Sequence, residues 1–342
     1  MGKDTTIGVI GFGNFGKLAV SVLSKHFKVL VYDTSKRKDL DGIIRKCGGV
    51  RTGLRETAKC DAVILCTPIS KTEEVIRKVV PMMKEKALLL DTCSVKELPC
   101  KWLKENATDT IEVIGTHPMF GPTTSKFNLE KQTWELKGLQ IVLCPIKISK
   151  ERLGGIKRFL KILELETIET TPEDHDRQNA KTLSFVHYIG RCLNASGVGH
   201  QNIYTPGYRD LLSILPHTTS DNWTLFYDMN NYNPYASPLR ARFIDACLSM
   251  EEKIIADRES GEMEKQRANI NAIDSHIIKL LERRMRSVER IREIKNKMNI
   301  PVKDKKREEE LINRLKKETH LSGPFIKAIY TEIFKEAYKN QK

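Results

Sequence analysis

Hydrophobic residues cluster in short runs through the first half of the chain and recur at helical spacing in its last quarter. Residues 6–16, TIGVIGFGNFG, form an apolar run that ends in closely spaced glycines. The amphipathic stretch KLAVSVLSKHF and a second apolar run, VLVYD, follow it. Short apolar runs next to glycine predict strands, whereas the amphipathic period predicts a helix. The chain is therefore predicted to begin as strand, glycine turn, helix and strand.

Three further apolar runs lie downstream, in residues 61–68, 87–96 and 111–122. Strands that alternate with helical patterns predict a parallel sheet with helices on both faces, a Rossmann-like doubly wound α/β domain. Such sheets bind ligands beyond the carboxyl ends of their strands. Candidate site residues at these ends are Thr67, Ser94 and His117.

The glycine turn has the spacing of a dinucleotide-binding loop. Gly11 permits the tight turn, Gly13 lets a pyrophosphate approach the backbone, and Gly16 allows the helix to pack against the strand. The helix then begins around Asn14 and Phe15, and its first N–H groups can bind phosphate. The order of strand, turn and helix favours this function over a glycine turn without a ligand.

An acidic residue, Asp33, ends the second strand, twenty residues after Gly13. Its carboxylate can accept hydrogen bonds from the ribose hydroxyls, which favours NAD over NADP as the cofactor. Lys36, Arg37 and Lys38 follow closely and could tolerate a 2′-phosphate. The sequence therefore predicts NAD and leaves NADP open.

A lone histidine is more often a packed or capping residue than a catalyst, so His117 is judged by its context. The segments CSVK, GTHPMFGP and EDHDRQNAKTLSFVHYIG (173–190) resemble the prephenate and arogenate dehydrogenase family. The resemblance implies that His117 is the catalytic histidine and that Ser94 is its hydrogen-bonding partner. It also implies that His187 lines the substrate pocket, in an all-α domain that follows the sheet.

An arginine of that family binds the side-chain carboxylate of the substrate. Tyr235 aligns with its position in bacterial relatives, so Arg240 is the preferred replacement and Arg242 the alternative. Thr123 stands where some members carry an acid six residues after the catalytic histidine. These two departures leave the choice between prephenate and arogenate open.

The final segment, 262–342, combines an apolar helical period with polar residues at fixed offsets. The periodic apolar residues are Ile270, Ile273, Ile277, Leu280, Leu281, Val288, Ile291 and Ile294. The polar residues are Arg267, Arg284, Lys295, Asp304, Arg307 and Glu308. The last three begin a second helix after a break at 299–301, and Asp304 is its predicted N-cap. Clustered guanidinium groups suit a small dicarboxylate, because arginine binds a carboxylate through two parallel hydrogen bonds.

These offsets resemble the all-helical chorismate mutase family, without a gap from Arg267 to Glu308. The resemblance implies that Arg284 and Arg307 bind the two carboxylates of the substrate. It implies that Arg267 reaches across from the partner subunit, and hence that the protein is a homodimer with shared sites.

The same resemblance assigns the remaining polar contacts. Lys295 and Gln341 would donate to the ether oxygen of the substrate, and Asp304 and Glu308 would hold its hydroxyl. Ala337 stands where a serine is common in the family, so one carboxylate or hydroxyl contact is unmatched.

The chain carries a formal net charge of +14, and from Glu264 onward it has 21 Lys and Arg against 12 Asp and Glu. Nucleic-acid binding is the natural alternative for such a basic segment. No base-stacking aromatic residues are interleaved with these charges; Phe325, Tyr330 and Phe334 have the spacing of a helical core instead. We therefore expect small anionic substrates and no nucleic-acid partner.

Three domains are predicted, at 1–165, 166–258 and 262–342, with the polar stretch 256–266 as the last boundary. The eight cysteines contain no CxxC pair, which favours reduced thiols in a cytoplasm over a disulfide framework or a metal site. We see neither a signal-peptide pattern nor an apolar run long enough to span a bilayer. A cytoplasmic enzyme without a membrane partner is expected.

The two resemblances imply consecutive reactions of tyrosine biosynthesis. A bifunctional chorismate mutase and NAD-dependent prephenate dehydrogenase is the expected function. Two alternatives remain: a dehydrogenase with a non-catalytic basic helical tail for RNA binding or regulation, and a Rossmann enzyme that acts on a different 3-hydroxyacid. The HPMFGP context argues against the second of these.

Overall fold

The computed structural model describes residues 5–128, 133–257, 261–298, 301 and 303–339. The chain forms two compact units, Met1–Phe243 and Ile244–Lys342, which we call the first and second units. The sheet of the first unit extends to Glu169, a few residues beyond the limit predicted at 165. The predicted division into three domains stays a prediction.

The strands of the first unit are β1 (Thr6–Ile10), β2 (Lys28–Tyr32), β3 (Val50–Arg51), β4 (Ala62–Leu65), β5 (Leu88–Asp91), β6 (Glu112–Pro118), β7 (Lys126–Asn128), β8 (Thr133–Glu135), β9 (Gln140–Lys147) and β10 (Glu166–Glu169). Eight of them form one sheet in the order β10-β9-β6-β5-β4-β1-β2-β3, and β7 pairs with β8 separately. Strands β1 to β6 are parallel, whereas β9 runs antiparallel to β6. The predicted doubly wound sheet is confirmed.

The carboxyl ends of the central strands lie along one edge of this sheet. Ile10 of β1 pairs with Leu65 of β4, Leu65 pairs with Asp91 of β5, and Asp91 pairs with Gly115 of β6. The strand order reverses between β1 and β4, which makes their shared edge the topological switch point. Sheets of this type bind ligands there.

The helices that begin in the first unit are α1 (Asn14–Leu23), α2 (Leu40–Lys46), α3 (Leu54–Ala58), α4 (Ile69–Val79), α5 (Glu97–Asn106), α6 (Lys150–Ile162), α7 (Pro172–Asn179), α8 (Phe185–Ala195), α9 (Pro206–Leu212), α10 (Leu215–Thr219), α11 (Trp223–Asn231) and α12 (Ala236–Asp257). Ile64 of β4 packs in one apolar cluster with Leu18 of α1. Its neighbour Leu65 packs in a second cluster with Ile76 of α4. Because successive side chains of a strand point to opposite faces, helices cover both faces of the sheet.

The helices that follow the sheet, α7 to α12, form a helical segment. Two of its carboxylates cap helices that cover the sheet. Asp176 of α7 accepts hydrogen bonds from Lys96 N at 2.6 Å and from Glu97 N at 2.9 Å, where α5 begins. Asp228 of α11 accepts from the Ser70 N and Oγ, both at 3.0 Å, in the first turn of α4. The first N–H groups of a helix have no partner within it and carry partial positive charge. The two carboxylates therefore stabilise α4 and α5 and hold the helical segment against the sheet.

The second unit contains α13 (Glu262–Lys297), α14 (Lys305–Glu318) and α15 (Gly323–Lys339). Asp304 Oδ1 accepts a hydrogen bond from Arg307 N at 3.1 Å, which confirms the predicted N-cap of α14. The structure describes all of α13, and none of its residues is buried. Its apolar residues that are at least 41% exposed include Ile270, Ile273, Ile277, Ile278, Leu280, Ile291 and Ile294. Large apolar side chains are thus exposed along much of this helix.

Candidate active site

The glycine turn follows β1 at the ligand-binding edge of the sheet. Gly11 has a φ of +99°, and a Cβ there would lie 2.4 Å from a carbonyl oxygen beyond β4. A Cβ at Gly16 would lie 2.3 Å from the oxygen of Gly11, whereas Gly13 has no described atom within 4 Å of its Cβ position. Helix α1 begins with Asn14 and Phe15 and has neither a first-turn acid nor a side-chain cap among the described residues. The open point at Gly13 and the first N–H groups of α1 fit a dinucleotide pyrophosphate.

Asp33 follows β2 and bonds to the glycine turn. Its Oδ2 accepts a hydrogen bond from Phe12 N at 2.6 Å, and its Oδ1 accepts from Ser35 N at 2.7 Å. A carboxylate oxygen has two lone pairs, so each can also accept from a ribose hydroxyl. Among the nearby cations, Arg37 forms an exposed ion pair with Asp39 at 2.7 Å.

Thr67, Ser94 and His117 lie near the carboxyl ends of β4, β5 and β6, as predicted from the sequence. Thr67 is half-buried, and its Oγ1 lies 3.1 Å from Thr72 Oγ1 on α4. Ser94 and His117 are buried. The fold therefore brings the three side chains to the edge that carries the glycine turn.

His117 belongs to a buried chain of three polar side chains. Its Nδ1 lies 2.9 Å from His175 Nε2, and His175 Nδ1 lies 2.8 Å from Asp176 Oδ1. Burial is the main reason that the pKa of His117 lies well below its ordinary value. The ring is therefore neutral at neutral pH and able to accept a proton, as a general base must be.

Ser94 is buried, but its Oγ has no hydrogen-bonding partner among the described residues. The sequence predicts that it bonds to His117, whereas the described contact of His117 Nδ1 is His175. Asn179 Nδ2 donates to the backbone oxygen of Ser94 at 2.5 Å, and the Asn179 Oδ1 is also buried without a described partner. A hydroxyl donor and an amide acceptor are thus available to a polar ligand, because buried polar groups are normally paired.

A buried ion pair supports the strand residue that precedes His117. The ammonium of Lys96, which is fully buried, contacts Asp91 Oδ2 and donates to the Thr116 oxygen at 2.6 Å. Thr116 N in turn donates to Asp91 Oδ1 at 3.3 Å. Burial alone would lower the pKa of Lys96, but the charge of Asp91 outweighs it and raises that pKa above its ordinary value. The raised pKa keeps Lys96 charged, and its contacts with Asp91 and Thr116 join β5 to β6.

Replacing Lys96 with Met should lower the free energy of unfolding by about 3–5 kcal/mol, because it leaves the Asp91 carboxylate buried without its partner. Chemical denaturation of the full chain measures this loss. Lys78→Met is the matched control, since Lys78 forms an exposed pair with Glu74 and should unfold at the wild-type denaturant concentration. Equal midpoints for the two variants would contradict the structural role of the buried pair.

His187 and Arg240 lie on the helical segment. His187 on α8 is buried, its Nε2 lies 3.8 Å from Asp221 Oδ2, and its Nδ1 has no described hydrogen-bonding partner. Arg240 on α12 is half-buried and donates to Asn230 Oδ1 at 2.6 Å, whereas the alternative, Arg242, is exposed. No hydrogen bond or ion pair within the described chain joins His187 or Arg240 to His117. Their part in a common site stays a prediction.

Two of the predicted residues of the second unit contact one face of α15. Glu308 on α14 accepts a hydrogen bond from the Tyr338 hydroxyl, and burial together with that carboxylate raises the pKa of Tyr338 to about 12. Arg284 on α13 lies with its guanidinium carbon 5.5 Å from the ring centroid of Phe334. Arg284 Nη1 is buried without a partner in the described residues, so it is available to a carboxylate.

The other predicted residues of this unit are less enclosed. Lys295 is half-buried and donates to a backbone oxygen in the connection to α14 at 3.1 Å. Asp304 caps α14, and Arg267 and Arg307 are exposed. Gln341 lies outside the described residues. The structure of one chain thus places Arg284 and Glu308 against α15, but it does not bring Arg267 to them.

Sequence reasoning missed His175, Asp176 and Asn179, which contact His117 and the segment after β5. All three lie in the segment EDHDRQNAKTL, part of the stretch that resembles the dehydrogenase family, and the resemblance implies no separate role for them. These positions lie within an arc of about 100° on α7, because 3.6 residues make one turn of the helix. Several polar residues on one side of α7, just before the apolar helix α8, were the feature of the sequence that could have indicated these buried contacts.

Comparison with known families identifies three segments of the chain. Residues 18–168 match the family described as prephenate dehydrogenase, nucleotide-binding domain. Residues 266–342 match chorismate mutase type II, and residues 192–267 match the TYRAAT1-like, C-terminal domain. The chain thus carries a prephenate dehydrogenase nucleotide-binding domain and a type II chorismate mutase domain. Both resemblances predicted from the sequence are confirmed; the first match begins just after the glycine turn, whose role rests on its own geometry.

Individual relatives agree with the dehydrogenase assignment. The chain is 33% identical over 240 residues to "Arogenate dehydrogenase 2, chloroplastic" of Arabidopsis thaliana, which covers 67% of this chain and 64% of that protein. It is 30% identical over 264 residues to "Probable arogenate/prephenate dehydrogenase" of Methanocaldococcus jannaschii, covering 73% of this chain and 56% of that protein. The chain therefore spans less than two thirds of the length of these relatives. A more distant one, from Schizosaccharomyces pombe, is named as NADP+-dependent.

A solved structure shares the fold. The crystal structure of prephenate dehydrogenase from A. aeolicus in complex with hydroxyphenyl propionate and NAD+ matches with a TM-score of 0.57 and 19% identity. The match covers 81% of this chain and 98% of that chain. At this identity the likeness confirms the architecture of a Rossmann-like sheet followed by helices.

The described residues contain no helix that is long and apolar enough to cross a membrane. They also contain no group of three or more His, Cys, Asp or Glu residues placed to hold a metal ion. All eight cysteines are free thiols, and Cys60, Cys93, Cys100 and Cys144 are buried.

Proposed function

We propose that the protein is a bifunctional enzyme of tyrosine biosynthesis. It would rearrange chorismate to prephenate and then convert prephenate to 4-hydroxyphenylpyruvate by NAD-dependent oxidative decarboxylation. The observation that carries the proposal is the presence of both domains, residues 18–168 and 266–342, on one chain. The product of the second domain is the substrate named for the first, so the two reactions are consecutive.

For the dehydrogenase, the bound nicotinamide nucleotide would supply the hydride acceptor. His117 would accept the proton of the substrate hydroxyl, which its lowered pKa allows at neutral pH. The unpartnered Ser94 hydroxyl is available to hold the same substrate hydroxyl. His187 and Arg240 would orient the substrate, the latter through a carboxylate. Loss of the ring carboxylate as CO2 then makes the ring aromatic.

For the mutase, the rearrangement is pericyclic and needs no covalent catalyst. Arg284, Arg307 and the partner's Arg267 would hold the two carboxylates of the substrate in the reactive conformer. Lys295 and Gln341 would donate to the ether oxygen, where negative charge develops in the transition state. Asp304 and Glu308 would hold the substrate hydroxyl, and the bond from Tyr338 supports Glu308 in its position.

The decisive assay is the formation of NADH from chorismate alone by the full chain. We expect NADH to appear after a lag while prephenate accumulates. If the second unit is a non-catalytic basic tail, chorismate stays unconsumed and NADH forms only when prephenate or arogenate is added. If the protein oxidises an unrelated 3-hydroxyacid and neither prephenate nor arogenate, the result would support a different Rossmann enzyme.

Arogenate is the second candidate substrate, and the name of the Arabidopsis relative favours it, whereas that of the Methanocaldococcus relative includes both compounds. Arogenate carries an amino group where prephenate carries a keto group, beside the side-chain carboxylate that Arg240 would bind. Comparing kcat/KM for the two compounds decides between them. A chain that oxidises only arogenate would still be a dehydrogenase, but its two reactions would not be directly consecutive.

We expect NAD+ to be preferred over NADP+ by at least about tenfold in kcat/KM, or 1.4 kcal/mol, because Asp33 repels a 2′-phosphate. Asp33→Asn should narrow this ratio by removing the negative charge. Arg37→Gln is the control and should leave the rate with NAD+ unchanged, since Arg37 is engaged with Asp39. A preference of the wild-type chain for NADP+ would show that the neighbouring cations outweigh Asp33.

A homodimer through the second unit is part of the proposal. The apolar residues exposed along α13 need a covering surface, and a second copy of the helix supplies one of the same length. Arg267 and Arg284 are 17 positions apart on this continuous helix, or about 25 Å. Two arginine side chains do not close that distance, so a site that uses both needs two chains. We place the enzyme in the cytoplasm, which the eight free thiols favour.

A further inference from the structure

His117 makes its described hydrogen bond through Nδ1, and this bond is the first in a chain of two hydrogen bonds. The donor and the acceptor of each bond follow from the protonation of Asp176 and His175. The chain runs from His117 Nδ1 to His175 Nε2 at 2.9 Å, and from His175 Nδ1 to Asp176 Oδ1 at 2.8 Å. The side chains of His175 and Asp176 are 3% and 0% exposed, so water does not compete for these bonds. Each nitrogen of a neutral imidazole is either a donor or an acceptor, and the two roles are always opposite.

Asp176 fixes the direction from one end. Both of its oxygens accept backbone hydrogen bonds where α5 begins, from Lys96 N and from Glu97 N. A carboxylate held by backbone N–H groups at a helix N-terminus is stabilised as the anion, which accepts hydrogen bonds and donates none. His175 Nδ1 must therefore carry the proton of the bond to Asp176 Oδ1.

In the neutral form of His175, the proton on Nδ1 leaves Nε2 as an acceptor. The second bond of the chain then requires a proton on His117 Nδ1. The remaining nitrogen of His117, Nε2, consequently carries a lone pair. The tautomer of a histidine is set by the hydrogen bond that its other nitrogen makes, and here that bond is buried and anchored to a helix terminus.

We propose that His175 and Asp176 are positioning residues that hold His117 in the Nδ1-protonated tautomer, which makes Nε2 the atom that takes the proton of the substrate hydroxyl. The kinetic part of this inference rests on the proposed dehydrogenase function. In the reaction the substrate O–H bond breaks, its proton binds to Nε2, and its electron pair forms the carbonyl as hydride leaves for the nicotinamide. The imidazolium that results is stabilised by the Asp176 charge through His175.

The tautomer can be measured without any substrate. Nitrogen-15 NMR of the full chain labelled at histidine distinguishes protonated from unprotonated ring nitrogens, and His117→Asn identifies the signals of His117 by their loss. We expect a protonated Nδ1 and an unprotonated Nε2 near neutral pH. A protonated Nε2 in the wild-type chain would overturn the proposal, because it would mean that His175 donates to His117 instead of accepting.

Two variants test the kinetic consequence. His175→Leu removes the acceptor and should lower the dehydrogenase kcat by about 10–100-fold, with the Nε2-protonated tautomer of His117 appearing in the spectrum. His175→Gln keeps an acceptor for His117 and a donor for Asp176, so it should restore most of the rate and the original tautomer. Mutase activity and the KM for the nucleotide should stay near wild type in both variants, which reports on intact folding.

The outcomes separate this inference from the proposed function. A full wild-type kcat in His175→Leu, or an equal loss in the Gln and Leu variants, would overturn the positioning role. If the wild-type chain oxidises neither prephenate nor arogenate but shows the expected tautomer, the proposed function fails and the positioning of His117 stands. If it oxidises them with His117 protonated at Nε2, the function stands and the inference fails.

Discussion

Replacing His117 with Asn should reduce the dehydrogenase kcat by about 10²–10⁴-fold and leave chorismate consumption near the wild-type rate. Asparagine is polar and of similar size but does not take up a proton near neutral pH. His117 lies on β6 of the first unit, whereas the predicted mutase residues all belong to the second unit. The change should therefore separate the two activities when both are measured on the same purified chain.

The pH dependence of the dehydrogenase tests the same role. Burial holds the pKa of His117 well below its ordinary value of 6.5, so the ring is unprotonated and active down to moderately acidic pH. The rate should fall only as the pH drops through that lowered pKa, where the base becomes protonated. His200→Asn is the matched control, because His200 is exposed and outside the site. A wild-type rate in His117→Asn would make His117 a structural residue.

Local features of the site were predictable from the sequence because their physical causes are local. Gly11 has a positive φ, and a Cβ at Gly16 would collide with the Gly11 oxygen, so the glycine spacing itself reports the turn. Asp304 caps α14 three residues before the N–H that it binds. Each of these contacts spans only a few residues, which a sequence pattern can encode.

The contacts of His117 were not predictable in the same way. His175 lies 58 positions further along the chain, and the bond forms only because α7 docks on the end of α5. The family resemblance pointed to Ser94 as the partner instead. Hydrophobic periodicity predicts that α7 is a helix but not which of its polar side chains turns inward. The orientation of a helix on a sheet is a property of the packed core, which no local pattern specifies.

For the second unit as well, the sequence predicts the helix but not its contacts. The apolar period predicted a long helix, and the structure gives one of 36 residues, but the period does not say what covers its exposed face. Three of the predicted mutase residues, Arg267, Arg284 and Lys295, are spread along that helix at intervals longer than a side chain. A site that used both Arg267 and Arg284 would need a second chain, so the test of the proposed site is also a test of the proposed assembly.

Mixing Arg267→Ala and Arg307→Ala chains should restore mutase activity that neither variant has alone. Each replacement removes a charged contact to a substrate carboxylate and should lower the mutase rate by about 100-fold or more. In a mixed dimer, one site receives an intact Arg307 from its own chain and an intact Arg267 from its partner. The other site lacks both. Random exchange makes half of the dimers mixed, so about a quarter of the wild-type sites should be active.

The experiment uses the two full-length variants unfolded and refolded together, with each refolded alone as the reference. Arg290→Ala is a matched control, since Arg290 is an exposed residue of α13 outside the predicted site and its loss should leave the rate unchanged. Light scattering of the wild-type chain at micromolar concentration should report a dimer. A monomer, or a mixture as inactive as its components, would mean that Arg267 does not act across an interface. The separation of about 25 Å between Arg267 and Arg284 would then exclude Arg267 from the site, because no single chain brings the two guanidinium groups together.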